Sequence, residues 1–337
     1  MPNSHSHHPH AASPPPYAAL TPDVVLDAVA SLGLAPSGTL LGLNSYENRV
    51  YQIGIDDGAP LVAKFYRPAR WTDAQISEEH AYSLELAERE IPVVAPLVLG
   101  GSTLHAHAGF RFALFPRRGG RAPELEDRAT LEWIGRFLGR IHALGREAPF
   151  RERPVLDIES HGREPRAWLL AHGAIPEDIR PAWEAISVQA LAAVEACYAR
   201  VPGLTSIRLH GDCHAGNLLW TPEGPHFVDL DDCRNGPAVQ DLWMLLSGSR
   251  EAMSVGLSAL LAGYEVFCPF DRRELQLVEA LRTLRLIHYS AWLARRWEDP
   301  AFPAAFPWFG SPRYWQDRIL ELREQIPLME EPPLEVA

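Results

Sequence analysis

Residues 209–220 read Leu209–His210–Gly211–Asp212–Cys213–His214–Ala215–Gly216–Asn217–Leu218–Leu219–Trp220, and the reading of the whole chain turns on them. The stretch interrupts helical sequence with a short polar loop. Within it, Asp212 and Asn217 stand five positions apart and form a carboxylate–amide pair. Twelve residues after Asn217, the apolar run Phe227–Val228 ends in Asp229. A carboxylate leaving a strand beside a loop amide offers hard oxygen donors of the kind Mg²⁺ takes alongside substrate phosphates. Asp212 is then the carboxylate left to orient an attacking hydroxyl and accept its proton. Such a set suits phosphoryl transfer, which is mostly a problem of positioning and electrostatics.

Other chemistries compete for the same loop. His210, Asp212, Cys213 and His214 are crowded together, as zinc or iron ligands can be, but they lack HExxH or CxxC spacing. A Cys213 nucleophile with His210 or His214 as its base is a further alternative. A capped polar loop without chemistry is the plainest one. His210 itself reads as a residue that orients the loop.

Working outward, the sequence before this loop divides in two. Thr21–Pro22–Asp23 caps a short helix whose stripe is Val25, Val29 and Leu32. Residues 38–67 then alternate apolar runs with the Asp56–Gly58 turn, which predicts strands near 38–43, Val50–Ile55 and Leu61–Tyr66. A helix is predicted over Thr72–Glu90, and two more strands over Ile91–Leu99 and Phe110–Phe115. Beyond a joint at Arg117–Gly120 the pattern turns helical. Leu131, Ile134, Leu138 and Ile141 form a buried stripe, and Trp183–Tyr198 a second long helix. After the loop, strands are predicted at Leu218–Trp220 and His226–Leu230, and helices from Val239 to about Trp297.

Composition limits the function. The chain has 337 residues and a formal charge of −12. Such a charge argues against a general nucleic-acid or membrane-surface binder, since both need a basic footprint. No apolar run is long enough to span a bilayer. Four cysteines without CxxC pairing point to a reducing, cytoplasmic compartment. The N-terminal MPNSHSHHPHAASPPPY is rich in His, Pro and Ser, and is expected to be a disordered tail over residues 1–20.

His210, Asp212 and Asn217 match the HxDxxxxN catalytic loop of the protein-kinase-like fold, and HGDxHxGN is the spelling of its aminoglycoside phosphotransferase and choline kinase branch. Asp229 resembles the metal-binding Asp that follows, with Asp229–Leu230–Asp231 in place of DFG. Asp241, in VQDLWMLL, resembles the buried helix Asp that supports the loop. LHGDCHAGNLLW, FVDLDDCRNGPAVQDLWMLLSG and the tail IHYSAWLARRWEDPAFPAAFPWFG are most similar to the bacterial stress response kinase A family, over roughly residues 20–335. The resemblance implies an α+β, bilobal protein-kinase-like fold. A small antiparallel β-sheet lobe would span residues 21–116, and a mainly helical lobe residues 117–335. It further implies a cytoplasmic, monomeric serine/threonine protein kinase of the stress response, using ATP and Mg²⁺ on protein substrates and on itself.

Site residues follow from the same resemblance. Asp212 and Asp229 are the catalytic carboxylates, and Asn217 and Asp229 the metal ligands. Lys64, in Leu61–Val62–Ala63–Lys64–Phe65, resembles the kinase strand lysine. Its partner on the next helix is Glu79 by register with Leu86, with Glu78 as the alternative. The loop Asn44–Ser45–Tyr46–Glu47–Asn48–Arg49 lacks the glycines of GxGxxG, leaving Asn44, Ser45 and Asn48 as phosphate contacts, and Arg49 either as added charge there or in a solvent-facing salt bridge. Leu114, Phe115 and Arg117 are candidates near adenine. The basic and aromatic residues of Leu281–Trp297 read either as an acceptor-facing surface or as a core stripe with a solvated edge. A small-molecule kinase of the choline, homoserine or aminoglycoside type is the alternative function. A nucleotide sensor without catalysis would be expected to have lost one of Asp212, Asn217 or Asp229, and all three are kept.

Overall fold

A computed structural model describes residues 15–336. Residues 1–14 of the expected tail lie outside them, whereas Tyr17 and Leu20 are packed on the small lobe: Tyr17 stacks on Phe110 and donates its hydroxyl to the Glu47 carbonyl at 3.1 Å.

The small lobe begins with α1 (Pro22–Ala30), where Thr21 accepts from the Val24 N–H and Pro22 fills the first turn. Strands β1 (Pro36–Gly42), β2 (Arg49–Ile55) and β3 (Leu61–Phe65) follow as two hairpins. Helix α2 (Asp73–Glu88) opens with a reciprocal capping box between Thr72 and Gln75. Strands β4 (His105–His107) and β5 (Phe110–Pro116) complete an antiparallel sheet of order β1–β2–β3–β5–β4.

Register decides which side chains look where. Val50 pairs with Lys64 and Lys64 with Ala113, while Gln52 pairs with Val62 and Val62 with Phe115. Because side chains alternate along strands, these residues share one face. Ile53, Ala63, Phe65, Phe112 and Leu114 take the other face and pack against Val25, Ala28 and Val29 of α1.

The large lobe is built from α3 (Arg128–Gly145), α4 (Glu164–Ala171) and α5 (Arg180–Ala199), then the short strands β6 (Ile207–Leu209), β7 (Leu218–Thr221), β8 (Gly224–Phe227) and β9 (Arg234–Gly236). Helices α6 (Gln240–Trp243), α7 (Arg250–Tyr264), α8 (Val278–Arg295), α9 (Ala301–Ala305) and α10 (Pro312–Leu328) close it. Ile134, Leu138, Trp183, Leu260 and Ile287 belong to one continuous core, which Tyr82 and Leu86 of α2 also join. No helix among the described residues is long and apolar enough to cross a membrane.

Helices α3 and α7 approach so closely that glycine is required at the crossing. A Cβ at Gly135 would strike the Leu260 carbonyl, and one at Gly139 the Tyr264 carbonyl. Gly139→Ala is therefore expected to destabilise the chain by about 1–3 kcal/mol, the usual cost of overpacking, read as a lowered urea midpoint. An unchanged midpoint would show that the helices separate at little cost.

Two predicted strands end differently. Ile91–Leu99 is not a strand but an extended connection, because Pro92 and Pro96 have no N–H to give a ladder. It crosses instead to the large lobe, where Phe227 N donates to the Pro92 carbonyl at 2.7 Å and Val94 N to the Phe227 carbonyl at 3.1 Å. The strand expected to run to Leu230 stops at Phe227, since Asp229 adopts φ 59° and ψ 64° and Leu230–Asp232 coil into a 3₁₀ turn.

Candidate active site

Asp212 lies in the turn between β6 and β7. The turn is held from beneath by Asp241 of α6, which is fully buried. Asp241 accepts from the His210 N–H at 2.7 Å and the Gly211 N–H at 2.9 Å, and His142 Nε2 lies 3.0 Å from its Oδ2. Gly211 has φ +87°, and a Cβ there would collide with the Asp232 carbonyl, so only glycine lets the two loops touch. His210 Nε2 is 2.9 Å from the Val228 carbonyl, and Val228 N donates to the Asn217 carbonyl at 3.0 Å. Asp212, Asn217 and Asp229 are thus drawn to one place by the backbone.

Asn217 donates Nδ2 to the Asp212 carbonyl at 3.0 Å. That bond fixes the amide so that Oδ1 is its free acceptor. The Asp229 carboxylate is 53% exposed and comes off a strained left-handed backbone. Carboxylate and amide oxygens on a held loop fit a hard divalent cation. The crowded zinc candidates diverge: His210 faces Val228, His214 Nδ1 accepts from Gly216 N, and Cys213 is buried. Burial pushes the Cys213 thiol well up, which does not suit a nucleophile.

Asp212 faces α8. Arg285 Nη1 is 2.8 Å from its Oδ1, and His214 Nε2 is 3.4 Å from its Oδ2. Burial works to raise the carboxyl, but the His214 hydrogen bond and the Arg285 guanidinium hold it down at about 2.

Lys64 is the only lysine in the chain. Its Nζ lies 2.9 Å from Asp229 Oδ1 and 3.0 Å from Asp231 Oδ1. Burial acts to lower the ammonium, yet Asp229 and Asp231 carry it well above its usual value. The expected partner on α2 is corrected here. Glu79 is buried but makes no ion pair with Lys64 among the described residues, because Asp229 and Asp231 occupy the ammonium. Burial raises the Glu79 carboxyl to about 7 against the pull of Lys64. Glu78 is spent elsewhere, accepting from the backbone N–H groups of Arg151, Glu152 and Arg153 at 2.6–2.9 Å.

The loop between β1 and β2 also differs from expectation. Ser45 donates to the Asn48 carbonyl at 3.1 Å, Asn48 is buried on Asp231, and Arg49 pairs with Asp299 at 3.1 Å. Their side chains brace the loop, and Asn44 alone of the four is exposed. Glu47 at the tip reaches α8, where Trp292 Nε1 is 2.5 Å and Arg296 Nε 2.8 Å from its Oε2. The basic, aromatic stripe on α8 is neither an open surface nor a plain core: one end touches Asp212 and the other Glu47.

Near the joint, Leu114 is corrected as an adenine contact, since register turns it into the α1 core. Phe115 shares the opposite face with Val50, Val62 and Lys64, and Leu219 lies across the joint against Gly120. Arg117 is exposed and donates Nε to Gln52 Oε1 at 2.9 Å. Sequence reasoning missed Val50, Val62, Leu219, Asp231 and Arg70. The strand residues were findable from alternation once Lys64 was assigned, whereas Arg70 carries no pattern of its own.

Residues 39–278 match the model of the phosphotransferase enzyme family. Stress response kinase A of Escherichia coli K12 is 46% identical over 317 residues, covering 94% of this chain and 96% of the relative. The relative named serine/threonine protein kinase RdoA, from Salmonella typhimurium LT2, is 45% identical over the same shares. Among solved structures, an amicoumacin kinase superposes with TM-score 0.70 at 18% identity, covering 93% of this chain and 94% of that one. A microcompartment-associated aminopropanol kinase gives TM-score 0.66 at 20% identity, covering 91% and 97%.

The expectation of protein substrates is corrected by these neighbours, since both solved chains sharing the fold are named as kinases of small molecules. The segment after Asp229 bears on one mode of peptide docking only. Docking a peptide by strand addition needs a free extended edge. Here Leu230–Asp232 coil, β9 pairs with β6 and with Val155, and α6 has begun by Gln240.

Proposed function

The chain belongs to the phosphotransferase enzyme family and, within it, to the stress response kinase A family, so it is an ATP-dependent phosphotransferase; from that premise we propose that its acceptor is a hydroxyl of a small organic molecule. The observation that carries this reading is the wall over Asp212. Arg285 sits on the carboxylate, and Trp292 of the same helix and Arg296 at its C-cap hold the loop tip at Glu47. An acceptor hydroxyl has to reach Asp212 past Arg285 of α8, an approach that favours a compact alcohol.

In this reading Asp212 orients the hydroxyl. With its carboxyl held at about 2, it is a weak base, so alignment is its larger contribution and proton acceptance follows bond transfer. Asn217 Oδ1 and Asp229 would hold Mg²⁺, which when bound neutralises phosphate charge. Lys64 binds the nucleotide phosphates, and Val50, Val62 and Phe115 flank adenine from the sheet. His210 and Asp241 keep the catalytic and metal-binding loops in register. Four free, buried cysteines support a reducing compartment, and the shared name of the E. coli relative supports a part in the stress response.

The test is phosphate transfer from labelled ATP by the purified chain, offered a panel of small alcohols and, separately, protein extract. Label is expected in a small product whose mass has gained one phosphate. Label found solely in polypeptide would overturn the small-acceptor reading.

A further inference from the structure

Lys64 touches two carboxylates of very different standing. The Asp229 side chain is 53% exposed, whereas that of Asp231 is 4% exposed. The side-chain partners of Asp231 all come from the small lobe. Lys64 Nζ lies 3.0 Å from Oδ1, and Asn48 Nδ2 donates to Oδ2 at 3.1 Å, where Arg70 also binds. Arg153 fixes the Asp231 carbonyl. Glu79 Oε2 and Asp231 Oδ1 are both buried without a hydrogen bond among the described residues, but only Asp231 lies within ion-pair distance of Lys64.

We propose that Asp231 is the positioning residue for Lys64: its buried carboxylate, and not an acid on α2, aims the ammonium at the nucleotide phosphates and leaves Asp229 free for the metal. The inference rests on the phosphotransferase reading of Lys64 and Asp229. Asp231 is suited to the task because Arg70 and Asn48 already occupy Oδ2, so only Oδ1 remains for Lys64. Its charge is also secured by Arg70, and persists when Lys64 leans towards a phosphate. Asp229 has no such second cation among the described residues and, being half exposed, exchanges Lys64 for another cation without stranding a buried charge. The carboxylate that aims the cation and the metal ligand then stand two residues apart on one turn and move together. A swing of α2 is not needed to assemble them.

The choice of residue agrees. The chain carries 31 Lys and Arg in total, and every one but Lys64 is arginine. An ammonium is a compact point charge that can be shared between a carboxylate and a phosphate, which a planar fork does less readily.

The single lysine makes the test clean. In the full-length chain, D231N is expected to weaken metal-free ATP binding roughly thirty-fold, the scale for removing one partner of a buried charge pair. Tryptophan fluorescence reads the affinity, and KM for ATP should rise more than kcat falls. K64M should weaken binding comparably, and the double variant should be little worse than either single one, as coupled residues require. E79Q should give the smaller loss. With ¹⁵N-lysine labelling, the lone side-chain ammonium resonance should survive in E79Q and shift or broaden away in D231N. A fully additive double variant, or an E79Q loss exceeding that of D231N, overturns the proposal. If K64M leaves ATP affinity intact, the phosphotransferase reading of Lys64 fails instead. Should D231N not fold, the wild-type chain decides: nuclear Overhauser contacts between the ammonium and the Asn48 amide should persist with ATP bound, and their loss overturns the proposal.

Discussion

Asp212→Ala is expected to lower kcat for phosphate transfer by roughly three orders of magnitude, the scale lost when orientation and proton acceptance go together. KM for ATP should hardly move, because Asp212 faces α8 and not Lys64. The fold should survive. The carboxylate stands at the rim, its removal frees Arg285 to water, and the loop keeps its anchor in Asp241. Transfer rates from labelled ATP, set beside thermal melting of the same preparation, check both halves. Unchanged transfer would remove Asp212 from the chemistry altogether.

Asp241→Ala should act in the opposite sense, through the fold first. Its carboxylate takes two backbone N–H groups and lies beside His142, all in full burial. Truncation leaves these donors without an acceptor and opens a cavity, a loss of about 3–5 kcal/mol. Urea unfolding reads that loss directly. Activity should fall as well, since His210 and Gly211 would no longer fix where Asp212 stands. A wild-type midpoint with lost activity would move Asp241 from support to chemistry.

The lobes and the catalytic loop were readable in the sequence because periodicity and motif spacing are local. Thr21 and Thr72 cap the helices they precede, Asp56–Gly58 turns the hairpin it marks, and the Asn217 amide reaches Asp212 across the loop. What escaped was set by contacts distant in sequence. Glu79 looked like the partner of Lys64 because helix register favoured it, but the partner came from 167 residues further on. Arg49 was open between phosphate and a salt bridge, and sequence could not name the partner it takes, Asp299, 250 residues away. Leu114 failed for a more avoidable reason. Strand alternation from Lys64 through Ala113 already assigns Leu114 to the far face. In Ile91–Leu99, apolar character outweighed Pro92 and Pro96, although proline is the stronger signal.

Helix α8 bears on the size of what the enzyme can accept. Arg285 of α8 meets Asp212, and Arg296 at the C-cap of that helix, eleven residues on, meets Glu47 at the tip of the β1–β2 loop. At 1.5 Å per residue those two points are roughly 16 Å apart. On the small-acceptor reading, α8 would then work as a caliper: a guest that fits inside it would leave both jaws engaged, and a longer one would have to prise Glu47 off Trp292 and Arg296 before its hydroxyl reached Asp212.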